Sequence, residues 1–376
     1  MEYKRPVWAE VNLDSICANI KTIKKLLGDK TILMAVVKAD GYGHGAVEVS
    51  REALRCGAGR LGVALPEEGV SLRKAGIKAP IQILGEIHPS ASRLVIEYDL
   101  IPTLCSAAAA SSLSSEAKRR NKSVKFHAKV DTGMHRLGLA PGEVSAFLNY
   151  LKNLPGLELE GIFTHFACAD RPENGYTKRQ FSEFTALISG LEEDGFVFSL
   201  KHAANSAAAT FFPETHLDMV RIGIALYGLH PSDATKGKID LRPALRLISS
   251  VSSLKPLPAG EGVSYSLTYR AAKDTRVALL TLGYADGYTR LLSNRADVLI
   301  NGRRAPVIGN ICMDQFMVDV GAIENVKSGD EVVLIGKQDE EEISADDLAK
   351  ILGTINYEIT CMISKRVPRV YVRERA

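Results

Sequence analysis

Residues 31–45 read TILMAVVKADGYGHG, an apolar run that ends at a lysine and is followed by a glycine-rich segment. The run over residues 32–37 is short and rich in β-branched residues, which is typical of a buried strand. Three glycines then fall within five residues and predict a flexible turn. Lys38, at the junction, can place a nucleophilic amine in a cleft. The alternative is a lysine that only marks where a strand meets water.

Seven further apolar runs of this kind follow along the chain, separated by segments with helical signals. Pro66 with two acidic residues behind it has the composition of a first helical turn. An apolar stripe at helical spacing follows Pro141. The eight candidate strands cover residues 32–37, 61–65, 81–84, 100–104, 124–130, 157–164, 198–202 and 219–222. Strands alternating with helices predict a (β/α)8 barrel of the TIM type, with a doubly wound sheet as the alternative.

After about residue 240 the pattern changes to short β-rich segments punctuated by glycines. Asn301-Gly302 between two apolar runs is a strong signal for a two-residue hairpin. Ser344 and Asp347 can cap a helix over residues 346–352. These features predict a second, mostly β domain at the C-terminal end of the chain.

Composition limits the classes of function. With 376 residues the chain is long for one core, and 46% hydrophobic with 24% charged residues is ordinary for a globular protein. A net charge of +3 from scattered residues gives no argument for nucleic acid, and no apolar run approaches the ~20 residues of a membrane span. No apolar signal core follows the N-terminus. Six cysteines without a Cys-x-x-Cys pair suggest neither a zinc site nor a disulfide framework, so we expect a reduced, cytoplasmic chain with no metal.

Polar residues follow several of the predicted strands. In a (β/α)8 barrel, function lies at the carboxyl ends of the strands. Taken singly, His165 can be a structural histidine and Arg136 a surface ion-pair partner. Arg221 can pair with Asp218 or Glu214. Together these residues predict a site at one rim of the barrel: Lys38, Lys129, Arg136, His165, Ser206, Arg221 and Gly223.

Residues 36–45 resemble the pyridoxal-phosphate attachment motif of the alanine racemase family. The resemblance extends, in order and spacing, to near residue 370. The other segments that carry it are residues 129–138, 164–167, 204–207, 220–228, 263–265, 283–287, 311–314 and 356–358.

The resemblance implies an architecture and an activity. Residues 12–240 would form a barrel that binds pyridoxal 5'-phosphate, and residues 241–376 a C-terminal β domain against which residues 1–11 pack. The active form would be a homodimer with shared active sites, in which the partner subunit supplies Tyr265 and Met313. The enzyme would interconvert L-alanine and D-alanine by a two-base mechanism on a pyridoxal-phosphate aldimine, and so supply D-alanine for peptidoglycan.

The resemblance also implies a role for each residue. Lys38 would hold the cofactor as a Schiff base and act as the base toward D-alanine, while Tyr265 would act toward L-alanine. Arg136 and the Met313 backbone amide would hold the substrate carboxylate, and Lys129 matches a lysine that some members carry as a carbamate. The remaining residues would bind the cofactor or tune its chemistry: Tyr42, His165, Ser206, Arg221, Gly223, Ile224 and Tyr357.

The chemistry explains why these groups are needed. Racemisation removes a proton from one face of a planar intermediate and returns one to the other, so it needs two opposed acid/base groups. In the family the tyrosine contacts a histidine that contacts an arginine, here Tyr265, His165 and Arg221. A chain ending in a fixed cation favours negative charge on the phenol. An arginine also cannot accept a proton, which weakens the ring as an electron sink and should suppress side reactions.

Three alternatives remain open on the sequence. The first is a racemase of broader specificity, for example toward serine, and the width of the pocket near Tyr265, Tyr284, Met313 and Tyr357 would decide it. The second is a pyridoxal-dependent amino-acid decarboxylase, which needs no second base and so has no use for Tyr265. The third is a non-catalytic pyridoxal-phosphate-binding protein, which has no use for the residues after 240.

Overall fold

A computed structural model describes residues 5–373, which divide into two compact units. The barrel unit comprises Ser15–Gly41 and Ala46–Arg242. The β unit comprises the described residues of Met1–Asp14, Tyr42–Gly45 and Pro243–Ala376. Residues 1–4 of the expected N-terminal segment and residues 374–376 lie outside the described part. Strand β1 (Val7–Asn12) belongs to the β unit.

The barrel unit is built on a sheet of eight parallel strands. Its order is β8-β7-β6-β5-β4-β3-β2-β9, and its strands are β2 (Ile32–Val36), β3 (Arg60–Val63), β4 (Ile81–Glu86), β5 (Ile101–Leu104), β6 (Val124–Lys129), β7 (Leu157–Phe163), β8 (Leu200–His202) and β9 (Met219–Ile222). Backbone hydrogen bonds from Asp218 to Lys201 and from Arg221 to Ala204 link the flanks of β8 and β9, so the barrel is nearly closed. The predicted barrel is confirmed.

Helices cover the outside of this sheet because each presents one apolar face. In the helix that follows β7, Phe184, Ile188 and Leu191 are buried at helical spacing. The helices are α1 (Leu13–Lys24), α2 (Ala46–Arg55), α3 (Pro66–Lys74), α4 (Ser92–Glu97), α5 (Ala107–Arg120), α6 (Val144–Lys152), α7 (Tyr176–Glu193) and α8 (Ser206–Phe211). Short 3-10 turns lie at Pro89–Ala91, Pro141–Glu143, Pro172–Asn174, Pro213–Thr215, Ile224–Tyr227 and Asp233–Thr235.

One expectation about the cysteines is wrong. A disulfide joins Cys17 on α1 to Cys56, which follows α2. The two residues are 39 positions apart in sequence, and they meet because α1 and α2 are neighbours on the outside of the barrel. No local spacing pattern signals such a pair. The cysteines at 105, 168 and 312 carry free thiols.

The β unit is a nine-stranded sheet centred on one long strand, β10, which pairs with β1, β13 and β17. The order is β18-β17-β14-β15-β16-β13-β10-β1-β19. The remaining elements are β10 (Leu245–Leu257), β11 (Gly262–Val263), β12 (Tyr269–Arg270), β13 (Thr275–Leu280), β14 (Asp297–Ile300), β15 (Arg303–Ile308), β16 (Phe316–Asp319), β17 (Glu331–Gln338), β18 (Glu341–Ile343), α9 (Ala345–Leu352), α10 (Asn356–Met362) and β19 (Arg369–Val372), with 3-10 turns at Tyr265–Leu267, Tyr284–Asp286 and Arg290–Leu292.

Local signals in the β unit are met by the structure. Asn301 and Gly302 connect β14 to β15 with positive φ angles of 50° and 69°, as a two-residue hairpin turn requires. Ser344 caps α9 and accepts a hydrogen bond from the Asp347 amide. The predicted mostly β C-terminal region is confirmed. Within residues 5–373, every helix is too short or too polar to cross a lipid bilayer.

Candidate active site

Lys38 lies two residues beyond the end of β2, where the backbone enters a left-handed turn. Such a conformation costs roughly 1–2 kcal/mol for each residue that is not glycine. Consecutive residues in it are therefore rare, and strain of this kind concentrates at functional sites. The φ angles are 51° at Ala39, 52° at Asp40, 62° at Gly41 and 52° at Tyr42.

Hydrogen bonds hold the turn. The Glu68 carboxylate on α3 accepts from the Ala39 amide at 2.6 Å, and the Asp40 carboxylate accepts from the Ala46 amide at 2.9 Å. The same Glu68 side chain accepts from the amides that precede α3. The segment after Lys38 is therefore a strained and hydrogen-bonded turn rather than a flexible one.

Arg221 lies on β9 with its guanidinium inside the barrel, where the residue is only 4% exposed. It donates to the ring Nδ1 atoms of His202, at 2.9 Å, and His165, at 3.1 Å. It also donates to two backbone carbonyls, those of Thr164 and Ala203. Burial lowers the pKa of Arg221 to about 9, which leaves it a cation at neutral pH. Asp218 is not its partner, since that carboxylate accepts from the Lys201 amide.

His165 has a defined protonation state. A guanidinium only donates, so the Nδ1 atom of His165 must accept from Arg221 and the ring proton must lie on Nε2. Burial, followed by the charges of Arg221 and Lys129, lowers the pKa of His165 well below its ordinary value. The side chain is thus a neutral donor through Nε2.

Lys129 and Arg136 belong to the same cationic group. Lys129 ends β6 and is 5% exposed. Burial, then repulsion from Arg221 and Arg136, lowers the pKa of Lys129 to about 8. Arg136 is exposed and is presented by a loop whose amides converge on one carboxylate. That carboxylate, Asp131, accepts from the amides of Gly133, Met134, His135 and Arg136.

Ser206 and Gly223 are joined by a hydrogen bond at the start of α8. Ser206 is the first residue of α8, and its hydroxyl accepts from the Gly223 amide at 3.0 Å. Ile224 begins the 3-10 turn Ile224–Tyr227. Two helix starts and a hydroxyl therefore lie together, which suits an anionic group.

Tyr42 and Tyr357 are neighbours in the β unit, with ring centres 6.1 Å apart. Tyr357 lies on α10. Gly43, beside Tyr42, has a φ of 83° and lies so close to α10 that a side chain would collide with the Thr360 carbonyl. A glycine is therefore needed for this segment to approach α10.

Tyr265, Tyr284 and Met313 lie on three loops of the β unit that are bonded to one another. The Tyr265 carbonyl accepts from the Asn310 side chain at 2.6 Å. The Tyr284 amide donates to the Cys312 carbonyl at 3.0 Å, next to Met313. All three side chains are exposed: Tyr265 by 70%, Met313 by 53% and Tyr284 by 41%.

The backbone around Tyr265 is strained. Ser264, Ser266 and Leu267 have φ angles of 64°, 63° and 45°, a region that residues other than glycine rarely occupy. Strain on both sides of one exposed tyrosine is a second functional signal.

The predicted residues fall into two sets, one in each unit. In the barrel unit, Arg221 contacts His165, the charges of Lys38, Lys129 and Arg136 act on that same histidine, and Ser206 contacts Gly223. In the β unit, Tyr42 contacts Tyr357, while Tyr265 and Met313 lie on neighbouring loops.

Sequence reasoning missed four buried residues that continue inward from Arg221. They are His202, His127, Glu160 and Arg60. The available signal was a polar residue inside an apolar strand, since His127 and Glu160 lie within β6 and β7. The reason for their presence is a long-range contact that spacing along the chain cannot show.

Comparison with known proteins bears on this arrangement. The family model described as alanine racemase, N-terminal domain, matches residues 11–231, and the model described as alanine racemase, C-terminal domain, matches residues 244–371. The chain belongs to the alanine racemase family. An alanine racemase of Desulfovibrio desulfuricans is 49% identical over 372 residues, covering 99% of this chain and 100% of the relative.

Solved structures of alanine racemases agree with the assignment. That of Clostridium difficile 630 superposes with a TM-score of 0.95 at 40% identity, covering 99% of this chain and 97% of that one. The alanine racemase of Bacillus anthracis with bound L-Ala-P gives a TM-score of 0.93 at 40% identity, covering 100% and 97%. The family predicted from the sequence is confirmed, and the protein is an isomerase of the racemase class.

Proposed function

We propose that this member of the alanine racemase family interconverts L-alanine and D-alanine with pyridoxal 5'-phosphate as its cofactor. The observation that carries the proposal is Lys38 at the start of a strained, hydrogen-bonded turn in a barrel unit that also holds the Arg221–His165 pair. The named relatives are alanine racemases, and one of them is described with bound L-Ala-P.

The donor set fits this cofactor. Pyridoxal phosphate carries an aldehyde, a pyridine nitrogen and a phosphate. Its site therefore needs an amine for the aldehyde, a hydrogen-bonding group for the ring nitrogen and donors for the phosphate. Lys38 supplies the amine and Arg221 a donor for the ring nitrogen. The phosphate would be held by the Ser206 hydroxyl, the amides of Gly223 and Ile224, and the phenols of Tyr42 and Tyr357. When bound, pyridoxal phosphate delocalises the charge left at the substrate's α-carbon.

Two bases on opposite faces would move the proton. Lys38 would hold the cofactor through its amine and would also serve as the base toward D-alanine. Tyr265 of the partner subunit serves as the base toward L-alanine. The His165 Nε2 proton is available for donation, and Arg221 adds positive charge behind it, so the pair favours the deprotonated phenol.

The substrate carboxylate needs fixed donors. We propose that the planar guanidinium of Arg136 and the Met313 amide provide them. We also propose that Lys129 is a carbamate. Its amine is buried beside the charges of Arg221 and Arg136, and an anion at this position would pair with Arg136.

We propose a homodimer in which each active site combines Lys38 of one subunit with Tyr265 and Met313 of the other. The exposed side chains of Tyr265, Tyr284 and Met313 on adjoining loops support it, because exposed clusters of apolar surface mark protein interfaces.

We propose domain limits of 1–11, 12–240 and 241–376. The first segment would pack with the last, as strand β1 pairs with strand β10. The enzyme would act in the cytoplasm and supply D-alanine for peptidoglycan.

Borohydride reduction followed by peptide mapping tests the assignment of Lys38. We expect the cofactor's mass on the peptide that contains Lys38, and no label in a Lys38→Ala variant. Lys129, the buried lysine of the site, is the internal control. Label on Lys129 in the wild type would overturn the assignment.

Racemisation of alanine and serine by the same preparation tests the substrate. We expect kcat/KM to be much higher for alanine. Equal values for the two amino acids would replace alanine racemase by a racemase of broader specificity.

A further inference from the structure

A continuous chain of hydrogen bonds runs through the barrel away from Arg221. His202 Nδ1 accepts from Arg221 at 2.9 Å, and His202 Nε2 lies 2.9 Å from His127 Nδ1. His127 Nε2 lies 2.9 Å from Glu160 Oε2. Arg60 closes the chain with two hydrogen bonds to the same carboxylate, at 2.6 and 3.1 Å. The chain thus joins the first residue of β3 to the site on β9.

All five side chains are withdrawn from solvent. His127 and His202 are 0% exposed, and Arg221, Arg60 and Glu160 are 4%, 7% and 8% exposed. Five buried polar groups in an apolar barrel are costly unless each is paired with good geometry. Each one is paired here, so this chain of hydrogen bonds is an integral part of the fold.

The strands are shaped to accommodate it. In the β6–β7 pairing, Phe126 lies opposite Leu159 and His127 opposite Gly161, so that Glu160 is left out as a β-bulge. Bulges re-aim side chains, and this one aims Glu160 at His127. Gly161 is required beside it, because a Cβ atom there would lie 2.6 Å from the His127 ring.

The proton positions along the chain are fixed from both ends. Arg221 only donates, so His202 Nδ1 carries no proton and Nε2 carries one. That proton points at His127 Nδ1, which must accept, and His127 then donates from Nε2. The ionised Glu160 only accepts. Every hydrogen bond therefore runs one way, from Arg221 to Glu160.

The charges of this hydrogen-bond chain are ordered in the same direction, from the Arg221 cation to the Glu160 anion. Burial lowers the pKa of both His202 and His127, so two neutral imidazoles separate the Arg221 cation from the Glu160 anion. Hydrogen bonds to His127 and Arg60 outweigh the burial of Glu160 and lower the pKa of its carboxyl. The imidazole dipoles align with the field between the two charges, which strengthens each bond.

We propose that His202, His127 and Glu160 are positioning residues that hold Arg221 as an oriented cation, with Arg60 anchoring the far end. This inference rests on the proposed function, in which Arg221 acts at the cofactor. The chain fixes the side of Arg221 that faces the barrel interior, and Arg221 in turn fixes the His165 tautomer. A change at Glu160 therefore reaches the reacting groups through four hydrogen bonds.

Glu160→Gln tests the proposal, since it removes the charge and keeps the shape. Glu158→Gln is the matched control, because Glu158 is exposed on the same strand and, like Glu160, lines a cavity of about 470 Å³. We expect Glu160→Gln to lower kcat by on the order of tenfold or more, since small misplacements far from the chemistry act on the transition state. KM should change by less than about twofold in both variants. Glu160→Asp should recover part of kcat.

A second measurement is independent of activity and cofactor. Neutron diffraction from deuterated crystals of the wild type should show deuterium on Nε2 and none on Nδ1 of both His202 and His127. Deuterium on Nδ1 of either ring overturns the one-way chain. A kcat for Glu160→Gln equal to that for Glu158→Gln overturns the positioning role. Failure of the wild type to racemise alanine instead overturns the proposed function and leaves the neutron result standing.

Discussion

At the scale of single residues, the barrel part of the site contains two buried cations, Lys129 and Arg221. Lys129 is the most informative of them. Its charged form is disfavoured by burial and by two arginines, so its pKa falls from 10.5 to about 8. The neutral amine that results is the form that reacts with carbon dioxide, and a carbamate would turn a repelled cation into an anion that the arginines attract.

The first prediction concerns that reaction. Between about pH 6 and about pH 8 the neutral fraction of Lys129 in the folded protein rises to about one half, because its pKa is about 8, while the lysine of an unfolded chain, with a pKa of 10.5, stays protonated. Carbamate formation should therefore increase as pH rises through this window. Carbon-13 NMR with labelled bicarbonate should show one enriched signal that Lys129→Ala lacks and that Lys118→Ala, at an exposed helix position, retains. An identical signal in Lys129→Ala would assign the adduct elsewhere.

At the scale of elements, the left-handed turn after Lys38 depends on helix α3. Glu68 accepts from the amide of Ala39 in the turn and from the amides of Ala64 and Leu65 at the start of the helix. One carboxylate thus connects a helix cap with the position of the lysine.

The second prediction follows from that connection. Glu68→Ala should cost about 1–2 kcal/mol of unfolding free energy, as the loss of a cap does. It should also lower activity by more than stability alone explains, because the turn beside Lys38 loses a charged acceptor. Glu67→Ala, one residue earlier in the same helix, is the control. Equal activity in the two variants would show that the turn holds without Glu68.

The third prediction concerns the disulfide between α1 and α2. Closing a loop of this length stabilises a protein by about 4 kcal/mol in the chain-entropy model. Reduction should lower the unfolding free energy of the wild type by about that amount and leave Cys17→Ser unchanged. Cys168→Ser should respond as the wild type does. If thiol titration of the denatured, unreduced protein found all six cysteines free, the bond would be absent in solution.

The elements also show what a sequence can and cannot predict. Barrel strands are buried on both faces, so they appear as continuous apolar runs and all eight were recognisable. Asn301-Gly302 marked its hairpin because few residues tolerate positive φ at both positions. The turn at Ala39 and Asp40 was not recognisable, since neither residue prefers that conformation and α3 imposes it.

The side chains that meet across the barrel were likewise hidden. His202 and His127 are 75 positions apart, and the sequence of neither strand indicates that the two side chains are in contact. The Cys17–Cys56 bond has the same character. The roles of Lys38, Tyr265 and the phosphate-binding residues remain predictions that come from family resemblance, while the structure adds the strain and hydrogen bonds around them.

At the scale of the whole molecule, the proposed active sites are shared between subunits. A dimer of Lys38→Ala with Tyr265→Ala would contain one site with both defects and one site with neither. The closed two-fold symmetry of a homodimer makes this arrangement reciprocal.

The fourth prediction is therefore complementation. Each variant alone should be nearly inactive. A refolded equimolar mixture should regain about a quarter of wild-type activity, because half of the dimers are mixed and each holds one intact site of two. A mixture of Lys38→Ala with Arg221→Ala is the control. Both changes fall in the barrel unit, so each site of a mixed dimer carries one defect and no site is intact. Activity no higher than that of the separate variants would place Lys38 and Tyr265 in one subunit.

The central claim is that two bases act on opposite faces of one substrate. It is tested most directly by exchange of the α-proton in heavy water, measured separately from L-alanine and from D-alanine. The wild type should exchange both. Tyr265→Ala should lose proton removal from L-alanine far more than from D-alanine, because Lys38 remains to act on the other face. Equal loss from the two enantiomers would contradict the two-base account.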